Sequence, residues 1–490
     1  MDIKQSFDNQ EIFVTGGTGF LGKCLIEKLL RDCSGIKRIY MLVRPKKDKT
    51  AQDRLNDYKK ELIFERIRQE KPHVMDKLVP IVGNCQYLNL GISKDDLERL
   101  KTVNIIFHEA ANVRFDNDLR SSILMNTRGT YELVKIAQTM KNLLAFVHVS
   151  TAYVYPKATY IEEKIYALPN DWRKAIKIAE TFEVDTLEIL KNKYTDFFPN
   201  SYSFSKNLAE QIISDHSDQL PVSILRPVVV SPTYCEPEPG FFDNLNGPMG
   251  LMATLSLGIS QMTFCKGELN LSLMPVDIIT SLTIINASKC TMETLEKKKV
   301  PLVIRNFAPR SLYKYSLHQS ALISAQKTDA NPFQHCVWTP STRMTDNMYW
   351  YLLWVFFVHI PMACIYDLLL VLSNRQPMLL KTTRRIHYTS KAVGEFAVKY
   401  YDFSNEGMWE LYHYQQKYDK KGIFLAGYPT FDYHAVFESI NRGFKKFIFK
   451  EPIEATPATR WRYKTFKILN ELVKLTLFIF SAKFVWKLIH

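Results

Sequence analysis

The chain has 490 residues, 46% of them hydrophobic and 23% charged, an ordinary globular composition with room for two or three domains. Its net charge of +14 calls for an acidic partner. The basic residues are spread and carry no nucleic-acid motif, so nucleic acid is set aside in favour of a polyphosphate ligand and an anionic membrane surface. The 8 cysteines include no C-x-x-C pair, which argues against a metal centre and a disulfide framework and for a reducing compartment. Met-Asp-Ile-Lys-Gln at the N-terminus has no apolar signal region, so the folded part of the chain is expected to face the cytosol.

The first predicted element is a buried strand over Ile12, Phe13 and Val14, followed by a glycine-rich turn and a helix carrying Leu25, Ile26, Leu29 and Leu30. Strand, glycine turn and helix in this order form a dinucleotide-binding fingerprint. Gly16 permits the tight turn, Gly19 lets backbone approach a pyrophosphate, and Gly22 lets the helix pack closely on the strand. The whole turn (Thr15, Gly16, Gly17, Thr18, Gly19, Phe20, Leu21 and Gly22) is the expected cradle, with the phosphates on the helix N-terminus. The second strand, Arg38–Val43, ends at Arg44, backed by Lys46 and Lys47. A carboxylate there would bond a ribose hydroxyl and repel a phosphate, and none is present. The position therefore predicts NADPH.

A charged helical stretch from about Thr50 to Lys71 precedes a third strand, Leu78–Val82, and then Asn84. Ile105–Phe107 is a fourth strand running into His108-Glu-Ala-Ala-Asn112, where Ala110 and Ala111 are small enough for a cofactor to approach. A long helix from about Asp118 carries Asn126. A fifth strand, Phe146–Val149, delivers Ser150 and Thr151 at its carboxyl end. Strands alternating with helices predict a doubly wound, parallel, Rossmann-type α/β sheet whose ligands bind beyond those ends.

Trp172 to Lys193 reads as an inserted helix, and Ser201 opens another that stacks Tyr202 and Lys206 on one face. A nearby ammonium is expected to lower the tyrosine pKa and make it a usable acid, with a hydroxyl of Thr151 or Ser150 holding the substrate oxygen. A sixth strand ends at Arg226-Pro227, a Pro- and Gly-rich loop runs from Glu236 to Pro248, Leu273 to Asp277 begins a helix, and Val303–Asn306 is a late strand.

Asn347 to Tyr366 has no Asp, Glu, Lys or Arg, enough to cross a bilayer. His359, Pro361 and Asp367 count against a plain lipid-facing helix, leaving a spanning helix, a re-entrant or interfacial one, or the wall of an acyl tunnel. Residues 472–489 are interrupted by Lys474, Lys483 and Lys487 and could span or lie flat as a basic anchor. Lys381, Arg384 and Arg385 would keep the flank of the first segment cytosolic. The expected division is a reductase domain over 1–345, a helical domain over 346–455 with a membrane segment at 347–372, and a basic, apolar tail over 456–490.

The glycine turn, His108-Glu-Ala-Ala111, Ser150-Thr-Ala-Tyr153, Tyr202-Ser-Phe-Ser-Lys206 and Arg226-Pro227 resemble the extended short-chain dehydrogenase/reductases. The loop Glu236-Pro-Glu-Pro-Gly-Phe-Phe-Asp-Asn-Leu-Asn-Gly-Pro248, Met274-Pro-Val-Asp277 and the segment from His359 onward narrow the resemblance to alcohol-forming fatty acyl-CoA reductases of the insect type. It covers nearly the whole chain. It implies that the glycines bind NADPH, Tyr202 donates the proton, Lys206 orients the nicotinamide ribose, Thr151 is its hydroxyl partner, and Asn126 is the helix asparagine. Asn84 stands where an Asp usually lies near the adenine, Arg226 is expected on the cofactor side, and Phe241 replaces a usual Trp. The implied reaction reduces a long-chain acyl-CoA twice, through an aldehyde, to a primary alcohol, and needs no covalent cysteine. The alternatives are an extended reductase acting on another lipid, a sterol or a nucleotide sugar, and a non-catalytic NADP(H)-binding membrane protein. The intact Tyr202 and Lys206 argue against the last. The C-terminus Trp-Lys-Leu-Ile-His490 carries no peroxisomal tripeptide, so the endoplasmic reticulum is favoured over the peroxisome.

Overall fold

The computed structural model describes residues 2–490 apart from 46–47, 116, 197, 297–299, 310–314 and 427–431. The expectation for Lys46 and Lys47 lies outside the described residues. The chain forms two compact units, interleaved in sequence. The first comprises Met1–Phe241, Ser272–Lys314 and Tyr401–Asp432, the second Phe242–Leu271, Tyr315–Tyr400 and Tyr433–His490. This replaces the linear division expected at residue 345. Phe403 pairs with Ile161 in a short parallel ladder and Arg305 is held by Glu410, so residues 401–432 are tied to the first unit.

The first unit is built on seven parallel strands: β1 (Glu11–Thr15), β2 (Arg38–Val43), β3 (Leu78–Val82), β4 (Ile105–His108), β5 (Ala145–Val149), β6 (Val222–Pro227) and β7 (Val303–Phe307). Their order is β7-β6-β5-β4-β1-β2-β3. The winding therefore reverses between β1 and β4, where a doubly wound sheet opens a ligand crevice. β1 and β5 are buried along their whole length, as parallel strands covered by helices on both faces must be, which is why they read as continuous apolar runs. Thr15 lies opposite His108, and His108 opposite His148, so the ends of β1, β4 and β5 are level with one another.

α1 (Phe20–Asp32) follows the glycine turn, and α2 (Ala51–Lys59) starts at a capping box of Thr50 and Asp53. The predicted helix from Asp118 begins where expected, with Asp118 accepting from the Ser121 amide at 2.7 Å, but passes through a π turn over Ile123–Arg128 that contains Asn126. The inserted helix is two, Trp172–Thr181 and Val184–Tyr194, because Phe182 and Glu183 take extended backbone between them. α3 (Ser201–Asp215) is capped by Asn200, whose side chain accepts from the Ser203 amide at 2.8 Å.

The second unit is mostly helical: α4 (Gly247–Ser256), α5 (Leu317–Ala330), α6 (Met348–Leu372), α7 (Leu379–Ala397) and α8 (Pro457–Ile489). Among the described residues, α6 is the one helix long and apolar enough to cross a membrane. It is not uniformly lipid-like. Tyr351, Val355, His359 and Ala363 face inward, and His359 Nε2 accepts from the Gln261 amide at 2.9 Å. Leu353, Phe356, Phe357, Ile365 and Leu368 are exposed. A π turn over Val355–His359 precedes Pro361, which has no N–H to give the helix ladder. Asp367 takes the Met378, Leu379 and Leu380 amides at 2.9, 2.8 and 2.9 Å, so its charge caps the return helix α7.

Candidate active site

Gly16 has φ +83°, and a Cβ on it would lie 2.5 Å from the Ala110 amide nitrogen. A Cβ on Gly22 would lie 2.4 Å from the Gly16 carbonyl oxygen. Both positions admit only glycine, which brings β1, the turn and β4 within backbone contact. Gly19 precedes α1 in extended conformation with no side-chain cap, leaving the first-turn amides of Phe20, Leu21 and Gly22 at the helix's positive end. Thr15 and Gly17 are buried, and Thr18 is half-buried beside the exposed Gly19. Tyr58 of α2 donates to the Gly17 carbonyl at 2.9 Å and pins the turn from outside. The Thr15 hydroxyl bonds His108 Nδ1 at 2.7 Å, and His108 Nε2 bonds Thr130 at 2.9 Å. His108 is thus a structural strut between β1 and the helix behind β4, held neutral by burial, with its pKa down to about 3.

Arg44 is exposed at the end of β2. Arg54 of α2 donates to the Arg44 carbonyl, and its own pKa is lowered first by burial and then by the Arg44 charge. Two guanidinium groups therefore repel each other at the end of β2, an arrangement an anion would relieve. Asn84 spends its side-chain oxygen on the Gln86 amide at 3.1 Å, inside its own turn. Ala110 is buried and Ala111 half-buried, as small residues beside the cradle.

Arg226 does not reach the cofactor side. Its fully buried guanidinium is held by both oxygens of Glu210, at 2.9 and 2.5 Å, and by the carbonyls of Glu162 and Lys164. A buried charge needs such a complete set of partners, so Arg226 joins α3 to the loop after β5. Asp277 is similarly structural. Its carboxylate accepts the Tyr234, Cys235 and Glu236 amides at 2.9, 2.7 and 3.0 Å, which shapes the start of the Pro-Gly-rich loop.

The predicted catalytic residues do converge. Ser150 and Thr151 directly follow β5, and the Tyr202 phenol on α3 lies beside the Thr151 hydroxyl. Lys206, one turn further along, donates from Nζ to the Val149 carbonyl at 2.6 Å. Asn126 accepts from the Asn112 amide at 2.8 Å and donates to Ser205 Oγ at 3.0 Å, which locks α3 against the end of β4. The Ser150 hydroxyl is buried with no partner among the described residues, so it is available to a ligand oxygen.

The expected acidification of Tyr202 is corrected. Burial pushes the phenol up to about 12, the Thr151 hydroxyl opposing it, and burial pushes Lys206 down to about 8. The ammonium is turned onto the Val149 carbonyl, and the influences on the phenol are its burial and the Thr151 hydroxyl.

Sequence reasoning passed over Glu109. Both of its carboxyl oxygens are buried without a partner among the described residues, and burial raises the group to about 8 against the opposing charge of Lys206. A carboxylic acid between the apolar β4 and two alanines is the signal that could have found it. Six of the eight cysteines are buried packing residues, and Cys235 and Cys364 are exposed. Among the described residues none is paired, and burial pushes the Cys85, Cys265 and Cys290 thiols up to about 12.

A doubly wound sheet with a glycine cradle at its switch point, and a Tyr–Lys helix facing a Ser-Thr strand end, defines a nicotinamide-dependent oxidoreductase of the extended short-chain dehydrogenase/reductase class. Two family models described as male sterility protein match, the NAD-binding part over residues 14–283 and the Sterile part over residues 358–451. "Fatty acyl-CoA reductase wat" of Drosophila melanogaster is 30% identical over 99% of this chain and 92% of its own length. "Fatty acyl-CoA reductase 1" of Gallus gallus is 31% identical over 96% and 90%. Among solved structures, the terminal R domain of the myxalamid PKS-NRPS pathway shares the fold, with TM-score 0.61 at 20% identity over 91% of this chain and 93% of that one. The chain belongs to the fatty acyl-CoA reductase family, and it is an NAD(P)-dependent oxidoreductase.

Proposed function

We propose that this protein is an NADPH-dependent, membrane-associated reductase that converts long-chain fatty acyl-CoA to a primary fatty alcohol and free CoA through an aldehyde. The observation that carries the reading is the placement of Tyr202 beside the Thr151 hydroxyl, with Lys206 one turn along and bonded to the Val149 carbonyl, at a strand end next to a dinucleotide cradle. NADPH is favoured by the Arg44–Arg54 pair, which offers two cations to a 2′-phosphate and no carboxylate to a ribose hydroxyl.

When bound, NADPH supplies the hydride for each reduction. The chain's own residues do the rest. Thr15 to Gly22 and the α1 N-terminus hold the pyrophosphate, and Ala110 and Ala111 leave room for the bound dinucleotide. The Thr151 and Ser150 hydroxyls hydrogen-bond the substrate oxygen, where negative charge develops. The oxyanion of the first reduction, held by these hydroxyls and the Tyr202 phenol, collapses to the aldehyde and expels the CoA thiolate. Tyr202 gives its proton to the alkoxide of the second reduction. An un-ionised phenol is the donor form, so a raised pKa keeps it loaded at neutral pH. Lys206, bound to the Val149 carbonyl, orients the nicotinamide ribose, and Asn126 holds α3 in register. The exposed apolar face of α6 and the basic residues after it support attachment to an anionic membrane with the reductase unit in the cytosol.

The test is turnover of purified protein in detergent with NADPH and a series of acyl-CoAs, reading thiol release and alcohol formation. Tyr202→Phe should lose turnover while still binding NADPH. Equal turnover in Tyr202→Phe would remove the catalytic assignment.

A further inference from the structure

The second unit contains a cavity of about 90 Å³, part of it open to solvent. Its wall carries no charged side chain. Leu251 and Leu255 on α4 face it, with Ala321 and Ala325 on α5 and Val393 on α7. Phe264 closes one side by packing against α7 at Gly394, where a Cβ would meet its ring at 2.2 Å. The lining runs from Pro248 to Ser256 on α4 and from Leu317 to Ala325 on α5, about 12 Å along each helix. The short side chains on α5, one turn apart, keep this elongated slot open.

Water does not suit it. An ordered water needs two to four polar partners. The hydroxyls on the wall are largely spent: Ser256 and Ser324 pair at 3.1 Å, and Ser341 donates to the Gln261 carbonyl at 2.7 Å. Ser320 alone is buried there without a partner among the described residues. An unfilled apolar void of this kind costs stability, which an apolar guest restores. The same unit carries the exposed apolar α6, packed against α7, so hydrocarbon is at hand on its surface.

We propose that this cavity is a binding site for a single linear hydrocarbon chain. The chain is either the acyl tail of the substrate, which rests on the function proposed above, or a free lipid or alcohol, which does not. The test uses a long-chain alcohol carrying a photoactivatable diazirine near its methyl end, applied to the full-length protein in detergent. Labelling should map to α4 and α5 in the wild type and be lost in Ala325→Phe, which fills the slot. The unfolding midpoint of that variant should hold or rise, and Ala321→Leu serves if it does not. If the KM for long-chain acyl-CoA also rises about tenfold, the value of about two unburied methylenes, with medium-chain substrates unchanged, the guest is the substrate tail. An unchanged KM at every chain length identifies a free lipid or alcohol. Absent turnover in the wild type would sink the catalytic reading while the labelling result stood. Labelling that avoids α4 and α5, or that persists undiminished in both variants, overturns the proposal.

Discussion

Glu109→Gln is the substitution whose consequence follows most directly from the geometry. Burial raises the Glu109 carboxyl from its ordinary 4.5 to about 8, with the Lys206 charge the opposing influence. A carboxyl whose folded pKa is raised contributes its stability fully below its unfolded pKa and loses it as pH climbs through the folded value. The window is therefore about pH 4.5 to about pH 8. At about 1.4 kcal/mol per pH unit, the whole rise is worth up to about 5 kcal/mol, less whatever water penetration returns. Glutamine cannot ionise, so it removes this loss, at a pH-independent cost of about 1–3 kcal/mol for its own buried amide. The two neighbouring histidines act with the opposite sign below pH 6.5 and are common to the two proteins, so they cancel in the difference. Lys206 acts likewise above about 8, and because the Glu109 charge raises its pKa, that part does not cancel and the comparison rests on the range below it. The assay is the apparent unfolding midpoint of nucleotide-free protein in detergent, wild type against variant, from about pH 5 to about pH 8. The variant should gain on the wild type steadily across that range and be the more stable protein at its upper end. A flat difference would mean that the carboxyl ionises as if in water, and the description of the β4 end would be wrong.

Arg44→Ala and Arg54→Ala should each weaken NADPH binding about tenfold while leaving NADH nearly unchanged, read by quenching of protein fluorescence, since each removes one charge-assisted contact to a 2′-phosphate. Equal losses for both nucleotides would withdraw the NADPH assignment. Gly16→Ala forces a left-handed backbone and a 2.5 Å contact with the Ala110 amide, so nucleotide binding should disappear and stability fall by about 1–3 kcal/mol. Retained binding in that variant would show that the turn is not the cradle. Asp277→Ala strips the acceptor from three amides and should cost about 3 kcal/mol in unfolding free energy. Hydrogen exchange at 234–236 should quicken with it; unchanged protection there would contradict the role given to Asp277.

The sheet and the cradle were legible from the sequence because both rest on local signals. A parallel strand buried on both faces reads as a continuous apolar run, and a glycine that alone fits a crowded turn marks itself. All seven strands of the main sheet fall where those runs lie, and Tyr202, Lys206, Ser150 and Thr151 meet because strand ends and helix starts are fixed by pattern. What the chain could not announce is what each charge meets across space. Arg226 reads like a cofactor residue until Glu210 is found closing on it from α3, and the Tyr202 phenol reads as acidified until the burial that raises it is known. Glu109 is one letter in a motif until both of its oxygens prove to be buried without partners among the described residues. The division into units depends equally on distant pairing, since residues 401–432 return to the first unit through contacts with strands far behind them in sequence. Burial and partnership are sums over neighbours that only the folded chain assembles, and the pKa values and the cavity of the second unit follow from them.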